Sequence, residues 1–91
     1  MKPLTQYGRM AERHWRQFLP RMTAELEVKG QLQAMLLEAE ERTDAEVDSL
    51  RRHLIQQGLT PQQAHDRAWE IVRDRYLLLP PETEQPATKN G

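Results

Sequence analysis

Apolar residues recur every three or four positions along most of the chain, and the longest such run predicts one helix over residues 31–57. Its apolar positions form a single stripe, with Thr43 filling the one gap. The stripe consists of Leu32, Leu36, Ala39, Val47, Leu50 and Leu54. At roughly 1.5 Å per residue the helix would be about 40 Å long. Because it cannot bury the stripe against itself, we expect the rest of the chain, or a second copy, to cover it.

Two short apolar patterns precede the long helix. The first begins at Thr5, a suitable N-cap residue, although Gly8 weakens the first turn and makes Arg9 an alternative start. Pro20 suits the first turn of a second helix, and Gly30 is a natural terminator. The pattern leaves open whether these are two helices or one kinked helix.

Strong local signals follow the long helix. Gly58 predicts a Schellman ending, in which a glycine with positive φ closes the last turn. Thr60, Pro61 and Gln63 then form the pattern of a capping box with proline at the first helical position. We therefore expect a tight reversal and a final helix over residues 61–77, packed antiparallel on the C-terminal half of the long helix.

The helical periodicity predicts an all-α fold of three to four helices, a helical hairpin or small bundle organised on one long central helix. Residues 1–79 form a single domain in this interpretation, since 91 residues suffice for only one small core. Pro80 and Pro81 stop the last helix. The remaining residues are polar and include a third proline, so residues 80–91 are predicted to form a disordered tail.

Composition limits the kinds of site that the protein can have and the compartments in which we expect it. Cysteine is absent, which excludes disulfides and thiolate metal sites and is compatible with a reducing compartment. Neither a run of 18 apolar residues nor a signal-like N-terminal stretch occurs. We therefore expect a cytoplasmic protein without a membrane span.

The net charge of −1 hides an uneven distribution. Residues 1–22 carry five basic side chains and one acidic one, whereas residues 23–48 carry eight carboxylates and two basic side chains. The simplest interpretation is an internal match, with the first helix lying along the acidic long helix. The alternative is an external anionic partner for the basic segment.

Arginines and aromatic residues alternate in the first helix, a composition that suits nucleic acid because guanidinium groups pair with phosphates and aromatic faces stack on bases. The candidate nucleic-acid contacts are Arg9, Arg13, Arg16 and Arg21. Helical spacing, however, places most of the aromatic side chains on a different face from the arginines. That segregation favours aromatic residues in the core and arginines that are simply exposed.

The sequence contains no convincing catalytic or metal-binding pattern. Ser49 and His53 lie one helical turn apart, but no third group or oxyanion site accompanies them. The histidines are scattered and none belongs to a zinc-binding motif, while paired carboxylates on the long helix lack the E-x-x-H spacing of helical metal sites. We therefore expect a protein that is not an enzyme and needs no cofactor or metal.

Several motifs resemble the opening and closing helices of TnpV, a family of small transposon-encoded helical proteins. The first motif residues are Tyr7, Gly8, Arg9, Met10, His14, Leu19, Pro20, Arg21, Met22, Leu26, Gly30 and Leu32. The later ones are Ala68, Trp69, Glu70, Ile71 and Val72. The tight turn after residue 57 and the proline-containing tail depart from the family pattern. The resemblance implies a mobile-element context and no catalytic residues.

The first hypothesis is a non-enzymatic protein that acts by protein–protein interaction or self-association, because short helices cannot obviously cover a stripe about 40 Å long. The predicted interaction surface is Trp15, Leu36, Val47, Leu50, Leu54 and Trp69. Alternatively, the N-terminal helices cover the first half of the stripe and the last helix covers the second, which gives a monomeric bundle. The second functional hypothesis is a nucleic-acid-binding accessory protein of a mobile element.

Overall fold

The structure is a computed structural model that describes residues 3–82. It contains four helices, α1 (Gln6–Phe18), α2 (Pro20–Val28), α3 (Leu32–Gln56) and α4 (Pro61–Tyr76). No strand occurs within residues 3–82. The predicted all-α fold around one long central helix is confirmed.

The turn between α3 and α4 follows the local signals closely. Gly58 has a φ of 109°, and its N–H donates to the carbonyl of Ile55 at 3.0 Å. The N–H of the next residue donates to the carbonyl of Leu54 at 3.2 Å, which completes the predicted Schellman ending. Thr60 and Gln63 form the predicted capping box, with each side chain accepting from the backbone N–H of the other. These contacts fix the reversal from local sequence alone.

The N-terminal segment forms two separate helices. Leu19 lies between them with φ −132° and ψ 53°, outside helical geometry. Gly30 ends α2 with a φ of 69° and a second Schellman pattern, in which Gln31 donates to the carbonyl of Leu26 at 2.8 Å. The N-terminal segment is therefore two helices and not one kinked helix.

The long helix carries its neighbours on different halves. Ala68 and Val72 of α4 pack on Val47 in the C-terminal half of α3. Helix α1 packs on the N-terminal half, and α2 mainly contacts α1. The buried apolar residues of this N-terminal half are Ala11, Trp15, Leu19, Leu32, Leu36, Ala39 and Leu77. Helix α1 therefore covers the first half of the stripe and α4 covers the second.

The start of α1 is held by a contact with α3. Thr5 occupies the N-cap position, but its side chain makes no hydrogen bond to the helix it precedes. Its N–H and hydroxyl instead donate to the carboxylate of Glu40, at 2.9 and 3.0 Å. Gly8 is buried inside the first turns, so the helix begins before it at Gln6 and not at Arg9. Thr5 was thus placed correctly, but its capping role was predicted wrongly.

The chain continues past α4 and crosses the corner between α1 and α2. The indole N–H of Trp15 donates to the carbonyl of Leu77 at 3.0 Å, and His14 Nε2 lies 2.7 Å from the carbonyl oxygen of Leu79. The carboxylate of Glu82 accepts from the N–H groups of Arg21 and Met22 at 3.3 and 3.0 Å. Residues 80–82 of the predicted tail therefore pack against the helices, whereas residues 83–91 lie outside the described residues.

Candidate functional site

Half of the predicted interaction surface lies inside the protein. Trp15 is 3% exposed, Leu36 1% and Val47 5%. Trp15 of α1 and Leu36 of α3 lie in the same buried cluster, and α4 covers Val47. Leu36 and Val47 therefore cannot contribute to an accessible surface in this fold, and their assignment is corrected. Trp15 is almost wholly buried and contributes only to the lining of the pocket described below.

Trp69 is held between two helices. Its ring stacks on Tyr7 of α1, with centroids 5.2 Å apart and planes inclined by 13°. Burial, together with the negative charge of Asp44, raises the pKa of Tyr7 above its usual value. This half-buried pair ties α1 to α4, so Trp69 serves packing within the chain.

Leu50 and Leu54 remain half-buried in the C-terminal half of α3. Two grooves run beside them between α3 and α4, and no residue of α1 or α2 lines either groove. We call this region the open hairpin surface. Its lining residues are Glu46, Ser49, Leu50, His53, Leu54, Gln57, Leu59, Gln63, Asp66, Arg67, Glu70, Val72 and Arg75. These two leucines of the predicted interaction surface line accessible grooves, and their role in binding stays a prediction.

A second accessible region is a largely apolar pocket of about 210 Å³ at the junction of all four helices. Its apolar lining consists of Trp15, Met22, Met35, Ala39, Tyr76 and Leu79. We call it the methionine pocket. The sequence analysis missed it because its lining comes from four helices and the segment after α4. Met35 also lies off the apolar stripe of α3 and remains exposed.

Charged side chains rim the methionine pocket. Arg42 pairs with Glu38 at 3.0 Å, and this hydrogen bond raises the pKa of Arg42. Arg75 pairs with Glu46 at 2.8 Å, and the Tyr76 hydroxyl donates to the same carboxylate. The hydrogen bond from Tyr76, helped by Arg75, lowers the pKa of Glu46, and in turn it raises the pKa of Tyr76.

The four arginines proposed as nucleic-acid contacts are all exposed. Arg16 pairs with Glu12 at 2.9 Å and with Glu27 at 3.0 Å, and these hydrogen bonds raise its pKa. Within residues 3–82, the side chains of Arg9, Arg13 and Arg21 form no ion pair. No arginine of α1 pairs with a carboxylate of α3 in that range, so α1 rests on the acidic helix through apolar packing.

The aromatic residues of the first helix are mostly occupied by packing. Tyr7 stacks on Trp69, and Trp15 is buried. Phe18 is partly exposed, with the ring of His14 centred 4.7 Å away. Most aromatic side chains of this helix therefore pack within the protein, while its arginines are exposed, as the helical spacing predicted.

No group of three or more His, Cys, Asp or Glu side chains within residues 3–82 could hold a metal ion. Ser49 and His53 both lie exposed on α3. Among the described helices, none is both long enough and apolar enough to cross a membrane.

Comparisons with protein-family models, with curated proteins and with solved structures find no match for this chain.

Proposed function

We propose that this protein is a non-enzymatic binding protein whose methionine pocket receives one large apolar side chain of a partner protein. The supporting observation is the pocket itself, which is open to solvent yet lined almost wholly by apolar atoms. A buried cavity of about 150 Å³ can hold benzene, so about 210 Å³ suffices for a leucine or aromatic side chain. Protein interfaces characteristically place such an anchor at their centre.

Met22 and Met35 suit this role because methionine is flexible and polarizable and can adapt to differently shaped apolar groups. The charged rim resembles the polar border of an interface around its apolar centre. Since Arg42 and Arg75 already pair with carboxylates of the same chain, we expect them to orient a partner more than to attract it. Binding energy would come mainly from the apolar anchor.

Methyl NMR tests this proposal with peptides selected from a displayed random library for binding to the intact protein. The chain has four methionines, which give well-separated methyl signals. We expect selected peptides to carry a large apolar residue and to shift the Met22 and Met35 signals. Peptides that bind tightly but leave both signals unchanged would contradict the proposal.

A charge at the pocket mouth provides the matched variant test. Met35→Glu should weaken peptide binding about tenfold or more, because the apolar anchor would then desolvate a carboxylate. Val28→Glu is the control, since Val28 is 88% exposed and lies outside the pocket. Equal losses in both variants would indicate a general effect of charge and count against the pocket.

Nucleic-acid binding is the second candidate function, supported by the exposed side chains of Arg9 and Arg13. Because Tyr7 and Trp15 are engaged within the protein, the contact would be with phosphates and not with stacked bases. Titrations of duplex and single-stranded DNA and RNA should then show binding that falls steeply as salt rises. Arg9→Glu with Arg13→Glu should abolish it, whereas Arg67→Glu on α4 should not.

The resemblance to TnpV proteins adds a proposed mobile-element context, and the cytoplasm is the proposed location. Both rest on the sequence alone, through the motifs of the first and last helices and the absence of cysteine.

A further inference from the structure

The segment after α4 contributes to the wall of the methionine pocket. Leu79 lines the pocket, and every other lining residue belongs to one of the four helices. Leu79 is therefore the part of the lining that no helix holds in place. Its position depends on the contacts of residues 77–82, which we call the strap.

Two contacts hold the beginning of the strap against α1. Leu77 is fully buried, and its carbonyl oxygen accepts a hydrogen bond from the indole N–H of Trp15 at 3.0 Å. The carbonyl oxygen of Leu79 lies 2.7 Å from Nε2 of His14, and since a carbonyl can only accept, this nitrogen donates. The chain is therefore held on α1 as far as Leu79.

Glu82 holds the far end of the strap on α2. Its carboxylate accepts from the N–H groups of Arg21 and Met22, at 3.3 and 3.0 Å. The first N–H groups of a helix have no partner within it, and the positive end of the helix dipole favours a negative charge there. Met22 lines the methionine pocket, and Leu79 lies three residues before Glu82. One carboxylate that does not itself line the pocket thus holds two parts of its lining together.

We infer that Glu82 is a positioning residue of the methionine pocket, which holds Leu79 and Met22 in place for the side chain of a partner. This inference rests on the proposed function of the pocket. A side chain that fills the pocket contacts Leu79 only while the strap is docked, so filling the pocket and docking the strap favour each other by the same factor. When the strap is released, the apparent dissociation constant rises by the reciprocal of the fraction still docked.

Methyl NMR of the protein without ligand, with labelled leucine and methionine methyl groups, tests the positioning role. Glu82→Ala removes the acceptor at the start of α2, so the Leu79 and Met22 signals should both shift. The indole N–H signal of Trp15 should stay in place, since the buried Leu77 still accepts from it. Glu82→Gln keeps an acceptor oxygen and should shift the same two signals less.

Glu25→Ala is the matched control, because Glu25 is an exposed carboxylate on α2 beyond its first turn. Circular dichroism would show that each variant keeps its helices. If Glu82→Ala unfolded the protein, Glu82→Gln would provide the same comparison with a milder change. Unchanged Leu79 and Met22 signals in the Glu82 variants overturn the inference, as do equal shifts in Glu25→Ala.

Peptide binding tests the coupling between the strap and the pocket. For peptides selected on the wild type, calorimetric titration should give a dissociation constant raised about fivefold or more in Glu82→Ala, less in Glu82→Gln and not at all in Glu25→Ala. The bound peptide should also slow hydrogen exchange at the Met22 amide of the wild type, because a filled pocket favours the docked strap.

The two kinds of measurement separate this inference from the proposed function. If no selected peptide shifts the Met22 and Met35 signals of the wild type, the proposed function fails, while the spectra without ligand still decide whether Glu82 holds the lining. If peptides bind in the pocket but bind wild type and Glu82→Ala equally, the positioning role of Glu82 is overturned and the proposed function stands.

Discussion

The C-terminal half of α3 is held by contacts between residues close in sequence, whereas the N-terminal half is held by contacts between residues far apart in sequence. At the C-terminal half, the Schellman ending at Gly58 and the capping box of Thr60 with Gln63 fix the turn within a few residues. Helix α4 then places Ala64 and Ala68, both fully buried, against α3. Small side chains permit this close approach, and the hairpin follows from neighbouring residues.

At the N-terminal half, side chains distant in sequence supply the contacts at the helix starts. Glu40 receives the N–H and hydroxyl of Thr5 at the start of α1. Glu82 receives two N–H groups at the start of α2, where Leu19 offers no side-chain cap. Each carboxylate lies at the positive end of a helix dipole, which favours it electrostatically. Here the fold depends on residues brought together only after folding.

This difference teaches that neighbouring residues set the turn between α3 and α4, whereas α1, α2 and the segment after α4 form one interdependent unit. Variants in that unit should therefore disturb several elements together.

The largest effect is expected from Trp15→Ala. This side chain is buried and also donates to Leu77, so truncation should lower the free energy of unfolding by about 3–5 kcal/mol. Leu54→Ala, at the half-buried outer end, should cost about 1 kcal/mol, since less apolar area is removed from the core. Urea unfolding at low protein concentration measures both. Equal losses of unfolding free energy in the two variants would contradict the proposed difference between the two halves of α3.

Gly8→Ala should destabilise by about 1–3 kcal/mol, although alanine ordinarily favours a helix by about 1 kcal/mol. An added Cβ would lie 2.7 Å from Leu4 Cδ2 and would also collide with the carboxylate of Glu40. Thermal unfolding provides the measurement. The cost should shrink when Glu40→Ala is combined with it, because part of the clash is then relieved. A stabilised Gly8→Ala protein would show that α1 does not approach α3 so closely.

The contrast between the halves also explains what the sequence could predict. The capping box at Thr60 and the glycine at 58 were predicted correctly because their partners lie within a few residues. The partners of Thr5 and of the α2 start lie 35 and 60 residues away, and no local pattern indicates them. Helix existence and type were therefore predictable, but the N-terminal contacts were not.

The candidate site was predictable only in part. The apolar stripe correctly marked the buried line of α3, yet it could not indicate which of its residues α1 would cover. Leu36 is consequently core, while Leu54 stays near the surface. The methionine pocket gave no signal, because Met22, Met35 and Leu79 meet only in three dimensions.

Glu82→Gln should lower stability by about 0.5–1 kcal/mol, since glutamine keeps an acceptor but loses the charge at the start of α2. Hydrogen exchange at the Arg21 and Met22 amides should quicken in the variant. Glu25→Gln is the control, because it removes the same charge from the exposed surface of α2 beyond the first turn. If Glu25→Gln had the same effect, overall charge and not the carboxylate at the helix start would be responsible.

The smallest effect concerns Glu46, the carboxylate that pairs with the rim residue Arg75. Because folding lowers its pKa, its contribution to stability is present above the ordinary carboxyl range and is lost as pH falls through the folded value. Folding raises the pKa of Tyr76, so that contribution is present below the ordinary phenol range and is lost as pH rises through the folded value. The pair therefore stabilises the fold across the neutral range.

Tyr76→Phe should accordingly raise the pKa of Glu46 towards its ordinary value and slightly narrow the pH range of greatest stability on its acid side. Arg75 remains in the variant and still lowers the pKa of Glu46 in part. Carbon-detected NMR titration of the carboxyl groups measures this directly. Asp48 is the internal reference, since a hydrogen bond from Arg51 and the charge of Arg52 lower its pKa independently of Tyr76. An unchanged titration of Glu46 in the variant would mean that Arg75 and Arg42 lower its pKa and that the Tyr76 hydroxyl does not.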